Sequence, residues 1–137
     1  MTFDPTTIPA AVVDRLTEDY VLWLTTVNAS GEPTPTPVWF VWFDGEVWIR
    51  SQPEGAKIDH LAANPHVALN LNSDRTGGDV VVLNGAGTAQ DAMPDAAWEA
   101  YVAKYDQQIS GLGFTPESFA ASYAVPIHVT PSRLRHW

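Results

Sequence analysis

The stretch from Pro37 to Pro65 decides the fold, and it reads PVWFVWFDGEVWIRSQPEGAKIDHLAANP. An apolar run over residues 38–43 is followed by Asp44-Gly45, a dipeptide typical of the two-residue turn of a β-hairpin. The outgoing strand of this hairpin is predicted over residues 46–51. The stretch therefore predicts two antiparallel strands that are adjacent in the sheet.

A short helix is predicted directly after the hairpin. Pro53 and Gly55 end the strand pattern, and Asn64-Pro65 supplies a stop signal. Lys57 falls in the first turn of this helix. The apolar stripe that would face the protein interior consists of Ile58, Leu61 and Ala62.

Polar side chains near the end of the outgoing strand suggest an anion site. Arg50 and Ser51 end the strand and Lys57 begins the helix, so all three are expected near the helix N-terminus. Free backbone N–H groups and the helix dipole favour a phosphate at such a position. The alternative is that Arg50 and Lys57 are ordinary surface cations on a loop.

The order and spacing of these motifs resemble the pyridoxamine 5'-phosphate oxidase-like split-barrel family. Within it, the chain is similar to the small flavin/deazaflavin oxidoreductase branch, many of whose members use coenzyme F420. The resemblance extends from about residue 22 to residue 137. It is carried by Gly31-Glu32-Pro33, Pro37-Val38-Trp39-Phe40, Asp44-Gly45, Arg50-Ser51, Lys57 and Leu61-Ala62-Ala63-Asn64-Pro65-His66-Val67.

The resemblance implies the fold class and a cofactor site. The fold is expected to be mainly β with α: a split β-barrel of six or seven antiparallel-rich strands with peripheral helices, as one domain over residues 1–137. The ring of the cofactor is expected to lie against the segment Pro37-Val38-Trp39. Its phosphate is expected to be held by Arg50, Ser51 and Lys57. Arg75 is a further candidate, because the deazaflavin carries an oligoglutamate tail.

The function implied by the resemblance is oxidation or reduction with coenzyme F420, by hydride transfer to or from a small conjugated substrate. FMN is the alternative cofactor. The alternative function is a non-catalytic protein that holds a flavin, a deazaflavin or a haem-like ligand. Hydride chemistry belongs to the cofactor, so we assign no catalytic residue. The four histidines match no zinc-binding spacing, and no metal site is predicted.

Composition limits the possible partners. The chain has 137 residues, no cysteine and a net charge of −9, which disfavours duplex nucleic acid and anionic membrane surfaces. We expect a cytoplasmic protein, because no signal peptide or membrane-spanning run is apparent. An anionic ligand would have to contact one of seven cationic side chains. Whether Arg133 and Arg135 reach such a ligand is left open. The cations are Arg15, Arg50, Lys57, Arg75, Lys104, Arg133 and Arg135.

The remaining strands are read from alternation, prolines and glycines. A strand is expected over residues 20–28. The next segment carries prolines at 33, 35 and 37, so one of its sides should lack a full strand partner. Residues 38–43 and 80–83 are apolar on both faces, which predicts burial on both faces and favours a homodimer. Further strands are expected over residues 66–73 and 79–91, the latter with a bulge or a tight corner at Gly85 and Gly87.

The C-terminal third is expected to be mainly helical. A helix is predicted over residues 94–105, followed by a loop or short helix over 106–114. Thr115 is a good N-cap for a second helix over residues 116–123. A final strand is predicted over residues 125–130, and residues 131–137 are expected only to close the chain.

Overall fold

The computed structural model describes residues 3–137 and contains a single antiparallel sheet of seven strands in that part of the chain. Four α-helices and one short 3₁₀ helix, Pro5–Thr7, accompany the sheet over the same residues. The strands are β1 Leu22–Val27, β2 Pro33–Val38, β3 Val41–Phe43, β4 Glu46–Ser51, β5 His66–Leu71, β6 Val81–Ala89 and β7 Val125–His136. The α-helices are α1 Ala10–Glu18, α2 Ala56–Ala63, α3 Asp95–Gly111 and α4 Pro116–Ser122.

The sheet curls into a barrel that is split along one side. The strand order is β2-β1-β5-β6-β7-β4-β3, so β2 and β3 are the two edges. The predicted fold class, a split β-barrel with peripheral helices, is confirmed. The hairpin at Asp44-Gly45 is also confirmed: both residues have positive φ, 52° and 75°, as a two-residue hairpin turn of this type requires.

The proline-rich strand β2 lies at a sheet edge, as predicted. It pairs only with β1, in a register that places Pro37 opposite Trp23 and Pro33 opposite Val27. Proline has no N–H to donate, so it is tolerated where one side of a strand has no partner. The backbone at the end of β2 is therefore free of a second strand.

The prediction of one continuous strand over residues 38–43 is wrong. Val38 ends β2, Trp39 and Phe40 form a link, and β3 begins at Val41. The Tyr105 hydroxyl of α3 takes the place of a strand partner at this link. It accepts a hydrogen bond from the Phe40 N–H (2.9 Å) and donates one to the Tyr20 carbonyl (2.7 Å).

The last strand is longer than predicted. β7 continues through residues 131–136, which were expected only to close the chain, and it pairs with β6 from Ile127 to His136. Pro131 is accommodated because it lies opposite Gly85, where the register shifts between Asn84 and Gly85. The predicted irregularity at Gly85 is thus confirmed. A Cβ at this glycine would lie 2.5 Å from the Thr130 carbonyl oxygen, so the close approach requires glycine.

The helices differ from the prediction in two places. α3 extends to Gly111 and absorbs most of the segment expected to be a loop. α4 begins as predicted, with Thr115 as N-cap in a capping box that also uses Ser118. In α2, Leu61 is buried as expected, but Ala62 is exposed. His60 is not a free surface residue, because its Nδ1 lies 2.8 Å from the Thr26 hydroxyl.

Two apolar clusters stabilise the fold. The larger fills the barrel between α1, α2 and the sheet, and includes Leu24, Leu69 and Ile127. The smaller lies between the β3–β4 hairpin and the helices α3 and α4, and includes Trp48, Tyr105 and Phe119. The second cluster holds α3 and α4 against the sheet beside the split. No helix within residues 3–137 is long and apolar enough to cross a membrane.

Candidate functional site

A cavity of about 400 Å³ lies beside the split of the barrel. The ends of β2 and β4, the start of α2 and the faces of α3 and α4 enclose it, and we refer to it as the main cavity. Its volume is within the range of small-molecule sites. It is lined by Val21, Pro37, Val38, Trp39, Arg50, Ser51, Gln52, Gly55, Lys57, Tyr101, Leu112, Phe119 and Tyr123.

Six of the seven residues proposed from the sequence line this one cavity. They are Pro37, Val38, Trp39, Arg50, Ser51 and Lys57. The seventh, Arg75, does not line it. Arg75 is exposed in the turn between β5 and β6, which is organised by the Asp74 carboxylate accepting bonds from the Thr76 and Gly78 N–H groups. Arg133 and Arg135, which lie exposed on β7, also do not line it.

Ser51, Gln52, Gly55 and Lys57 form a polar end of the main cavity, which we call the anion cradle. Lys57 Nζ makes no hydrogen bond or ion pair within residues 3–137, so its charge is available. A Cβ built on Gly55 would lie 3.1 Å from Ser51 Oγ and 3.8 Å from Lys57 Nζ. The glycine therefore leaves open the space between these two donors, directly before the N-terminus of α2.

The Ser51 hydroxyl is buried in the cradle and has only a local partner. It donates to the Gln52 carbonyl at 3.0 Å, one residue along the chain. Rotation about the side-chain bond would free this hydroxyl for a ligand. The cradle thus offers an ammonium, a hydroxyl and the first N–H groups of a helix, which together are suited to a phosphate.

Arg50 lines the cavity but is less free than the sequence suggested. Its Nε donates to the Tyr123 carbonyl at 2.9 Å and its Nη2 to the Ala120 carbonyl at 3.2 Å. The guanidinium also lies over the Trp98 ring, 4.8 Å from its centroid. Burial lowers its pKa from the ordinary arginine value, although not enough to remove the charge at neutral pH. Arg50 therefore fixes the end of α4 to β4, and its Nη1 has no hydrogen-bond partner within residues 3–137.

Aromatic side chains form the opposite wall of the main cavity, which we call the aromatic wall. Its members are Trp39, Tyr101, Phe119 and Tyr123. Trp39 and Phe119 stack with centroids 5.7 Å apart and an interplanar angle of 17°. Phe119 also stacks on Tyr123, at 4.6 Å and 19°. An aromatic lining of this kind is suited to an apolar conjugated ligand.

Tyr105 positions the wall without lining the cavity. Its ring stacks on Trp39 at 4.7 Å and 6°, and its hydroxyl holds the adjacent Phe40 backbone. Lys104, the preceding residue of α3, also holds this backbone, because its Nζ donates a 2.9 Å hydrogen bond to the Phe40 carbonyl. Its burial lowers the pKa of Lys104 to about 8. The break between β2 and β3 is thus secured by α3, and it turns Trp39 toward the cavity.

Sequence reasoning missed Tyr101, Phe119, Tyr123 and Leu112 as lining residues. Tyr101 belongs to a helical series with Ala97 and Tyr105 that is typical of a buried core face. That series indicated packing correctly but carried no sign that one of its members also borders a cavity. Among residues 3–137, no group of histidine, aspartate and glutamate side chains is suitable for a metal ion.

The site can bind a flat apolar molecule that carries an anionic group at one end. Three donors of the cradle face one end, and stacked rings face the rest. The sequence of the chain matches the family model described as pyridoxamine 5'-phosphate oxidase over residues 8–137. Among curated proteins, no sequence match was found.

Solved structures share the fold at low sequence identity. A putative pyridoxamine 5'-phosphate oxidase from Listeria innocua is 22% identical, with a TM-score of 0.69 over 91% of this chain and 94% of that one. A protein described as F420 reductase is also 22% identical, with a TM-score of 0.69 over 93% and 98%. HutZ, a heme storage protein from Vibrio cholerae, is 15% identical, with a TM-score of 0.65 over 99% and 95%. Since the family model matches nearly the whole chain, this protein belongs to the pyridoxamine 5'-phosphate oxidase family.

Proposed function

We propose that this protein is an oxidoreductase that binds coenzyme F420 in the main cavity and transfers a hydride between it and a small conjugated substrate. The observation that carries the proposal is the meeting of the anion cradle and the aromatic wall in one cavity. Neither feature alone would distinguish a redox cofactor from another ligand. Together they match a planar ring attached to a phosphate.

The anion cradle fits the phosphate of such a cofactor. Lys57 supplies a charge without an internal partner, and Ser51 supplies a hydroxyl that can be redirected. The absence of a Cβ at Gly55 leaves the intervening space open. Arg50 adds positive charge through Nη1, while its other nitrogen atoms stay bound to backbone carbonyls. Charge-assisted hydrogen bonds of this kind are the strong ones in proteins.

The ring fits between the end of β2 and the aromatic wall. Pro37 and Val38 are consecutive residues of an edge strand, so one of their two backbone carbonyl groups points to the free side, where it is available to ring nitrogen atoms. Trp39 lines the cavity with its ring held between Tyr105 and Phe119. When bound, the deazaflavin supplies the hydride chemistry. The residues of the chain bind it, orient it and exclude water from one of its faces.

FMN is the alternative cofactor, because the cradle would hold its phosphate equally well. The deazaflavin also carries an oligoglutamate tail, and a net charge of −9 does not favour such a tail. Arg75 remains our candidate for a contact with the tail, outside the cavity. The relatives named above include an F420 reductase and a heme storage protein, but their identities are too low to transfer either ligand. No histidine lines the main cavity, so we do not favour haem.

We also propose a homodimer. Trp42, Phe43 and Val82 remain partly exposed in a single chain, and they lie in the two apolar segments over residues 38–43 and 80–83. A second copy would cover them and could complete the open side of the cavity. The mass in solution, measured by light scattering at micromolar concentration, tests this; a monomer would contradict it.

The experiment that tests the function is a titration of the protein with F420 and with FMN in parallel, followed by fluorescence. We expect the deazaflavin to bind more tightly. An FMN that co-purifies stoichiometrically, or binds at least tenfold more tightly, would move the assignment to an FMN oxidoreductase. A haem absorption band in the purified protein would support a binding protein instead. Binding of none of the three would contradict the proposal.

A further inference from the structure

Tyr101 differs from its neighbour Tyr105 in how its hydroxyl is used. Both side chains are buried, with 1% and 0% of their surface exposed. The Tyr105 hydroxyl bonds to the backbone of Phe40 and Tyr20. The Tyr101 hydroxyl has no hydrogen-bond partner within residues 3–137. A hydroxyl on a buried side chain usually has a partner within the protein, so its absence at Tyr101 is uncommon.

The main cavity is the place where this hydroxyl can find a partner. Tyr101 lines that cavity, and its hydroxyl oxygen is not fully enclosed by protein atoms. The ring is fixed by its packing against Trp98, Tyr105 and Phe119, with centroids 5.0–6.0 Å away. A fixed ring cannot turn its hydroxyl elsewhere. A molecule that fills the cavity and displaces solvent from this hydroxyl would have to supply its partner.

The surroundings of Tyr101 decide whether it donates or accepts. Burial raises the pKa of Tyr101 well above the ordinary tyrosine value, and Tyr105 and Tyr123 act in the same direction. The charge of Arg50 opposes this shift, so the guanidinium acts on the hydroxyl. The hydroxyl thus stays protonated at neutral pH. A protonated hydroxyl near a cation is a hydrogen-bond donor toward a negatively polarised atom.

The polarity of this wall indicates that the acceptor is neutral. The Tyr101 side chain is 1% exposed and packs against Tyr105 and Phe119, so an acceptor at its hydroxyl lies among aromatic rings. A carboxylate would have to leave water for surroundings made mainly of aromatic rings. A carbonyl oxygen is much less costly to desolvate and still accepts a hydrogen bond. The charged group of a ligand is better placed in the anion cradle.

We propose that the Tyr101 hydroxyl donates a hydrogen bond to a neutral carbonyl oxygen of the molecule bound in the main cavity, and so selects for ligands that carry one. This inference rests on the proposed function for the identity of the cavity. The carbonyl could belong to the cofactor ring or to a conjugated substrate. Both sources present the same chemistry, and separate measurements distinguish them.

The test compares the wild type with Tyr101→Phe, using calorimetric titrations. The cofactor measurements use F420 and FMN. The substrate measurements use acetophenone, a neutral aromatic ketone, and benzoate, an anion of similar size, each with and without saturating cofactor. Tyr20→Phe is the matched control, since Tyr20 is 50% exposed and does not line the cavity.

We expect Tyr101→Phe to weaken binding about threefold to tenfold, the usual range for one neutral hydrogen bond. A loss of affinity for the cofactor alone assigns the carbonyl to the cofactor ring, whereas a loss of affinity for acetophenone assigns it to the substrate.

Unchanged affinities in both sets would overturn the inference, and so would a larger loss of affinity for benzoate than for acetophenone. If the wild type binds acetophenone but neither cofactor, the proposed function fails while this comparison still decides the role of Tyr101. A wild type that binds none of the probes overturns both.

Thermal unfolding separates a binding role from a structural one. Without ligand, Tyr101→Phe is expected to unfold at the same temperature as the wild type or slightly higher, because no internal bond is lost. The rise in melting temperature on adding ligand should be smaller in the variant. A variant that is less stable without ligand would reveal an internal partner and overturn the inference.

Discussion

The two ends of the main cavity are built in different ways. The anion cradle comes from seven consecutive positions, residues 51–57, at the junction of β4 and α2. The aromatic wall comes from three separate segments: the link after β2, α3 and α4. The cradle has donors whose partners are missing or local. The wall is packed from behind by Tyr105 against Trp39, and within the wall Tyr101 packs against Phe119.

This difference indicates that the aromatic wall is packed without a ligand, whereas the anion cradle has donors that a ligand would engage. The wall belongs to an apolar cluster, so a change in it should affect the stability of the fold. The cradle contributes little to packing, so a change in it should affect binding and leave folding intact. Substitutions in the two regions can therefore be sorted by which of the two measurements responds.

The largest effect is expected from Phe119→Ala in the aromatic wall. Phe119 is 3% exposed and stacks on Trp39 and Tyr123. Truncating a buried phenylalanine usually costs about 3–5 kcal/mol of unfolding free energy. Urea unfolding measures the loss. Leu112→Ala is the control, because Leu112 lines the same cavity but is 60% exposed. Equal losses in both variants would mean that the wall is not a packed unit.

Lys57→Ala is expected to act on binding alone. Removing one charge-assisted hydrogen bond of roughly 1.5–3 kcal/mol should weaken cofactor binding about tenfold to a hundredfold. The unfolding midpoint should stay close to that of the wild type, since Lys57 has no internal ionic partner. Arg133→Ala removes an exposed cation outside the cavity and should leave the affinity unchanged. Arg50→Ala should also weaken binding, but it should lower stability as well, because two backbone carbonyls lose their donor.

Gly55→Ala tests the open space of the cradle. The backbone of Gly55, at φ −65° and ψ 138°, is accessible to alanine, so the protein should fold. The new Cβ would lie 3.1 Å from Ser51 Oγ and 3.3 Å from the Gln52 carbonyl oxygen, and would crowd the donors. We expect cofactor affinity to fall about threefold to tenfold, the loss of roughly one hydrogen bond. Gly111→Ala is the matched control, since nothing lies within 4 Å of a Cβ there. An unaltered affinity for Gly55→Ala would place the anion elsewhere.

The smallest effect is a pH dependence caused by Lys104 behind the wall. Because burial lowers its pKa to about 8, the folded protein holds fewer protons than the unfolded chain between about pH 8 and the ordinary lysine value near 10.5. The contribution of Lys104 to the free energy of unfolding therefore rises with pH across that window. Part of the effect is lost to solvent screening, which leaves on the order of 1 kcal/mol. Urea unfolding at pH 7 and pH 9.5 should show this rise in the wild type relative to Lys104→Met; parallel values would contradict it.

The sequence could predict the cradle because its parts are neighbours in the chain. Asp44-Gly45 set the hairpin, and the strand that follows has the predicted bounds. Gly55 and Asn64 then bound the helix that follows. Local turn and capping chemistry was enough to bring Ser51 and Lys57 together. The family resemblance added the expectation that a phosphate is bound there.

The aromatic wall could not be predicted in the same way. The run over residues 38–43 is apolar throughout, so nothing local marks the break at Trp39 and Phe40. The cause of the break is the Tyr105 hydroxyl, 65 positions away in the chain. Residues 131–136 were missed as a strand for a similar reason. Pro131 argues against a strand locally, and only the irregularity opposite it, at Gly85, makes the pairing possible.

The place of β7 in the sheet has a consequence for how the protein is assembled during synthesis. β7 lies between β6 and β4, yet it follows both of them, and every other strand of the sheet, in the chain. Before it exists, the strands fall into two pieces: β2-β1-β5-β6, and the short β3–β4 ribbon, which is marginal by itself. The cavity takes Pro37 from one piece and Ser51 from the other. A nascent chain therefore has every residue that lines the cavity before the two pieces are joined, and the ability to bind arrives with β7.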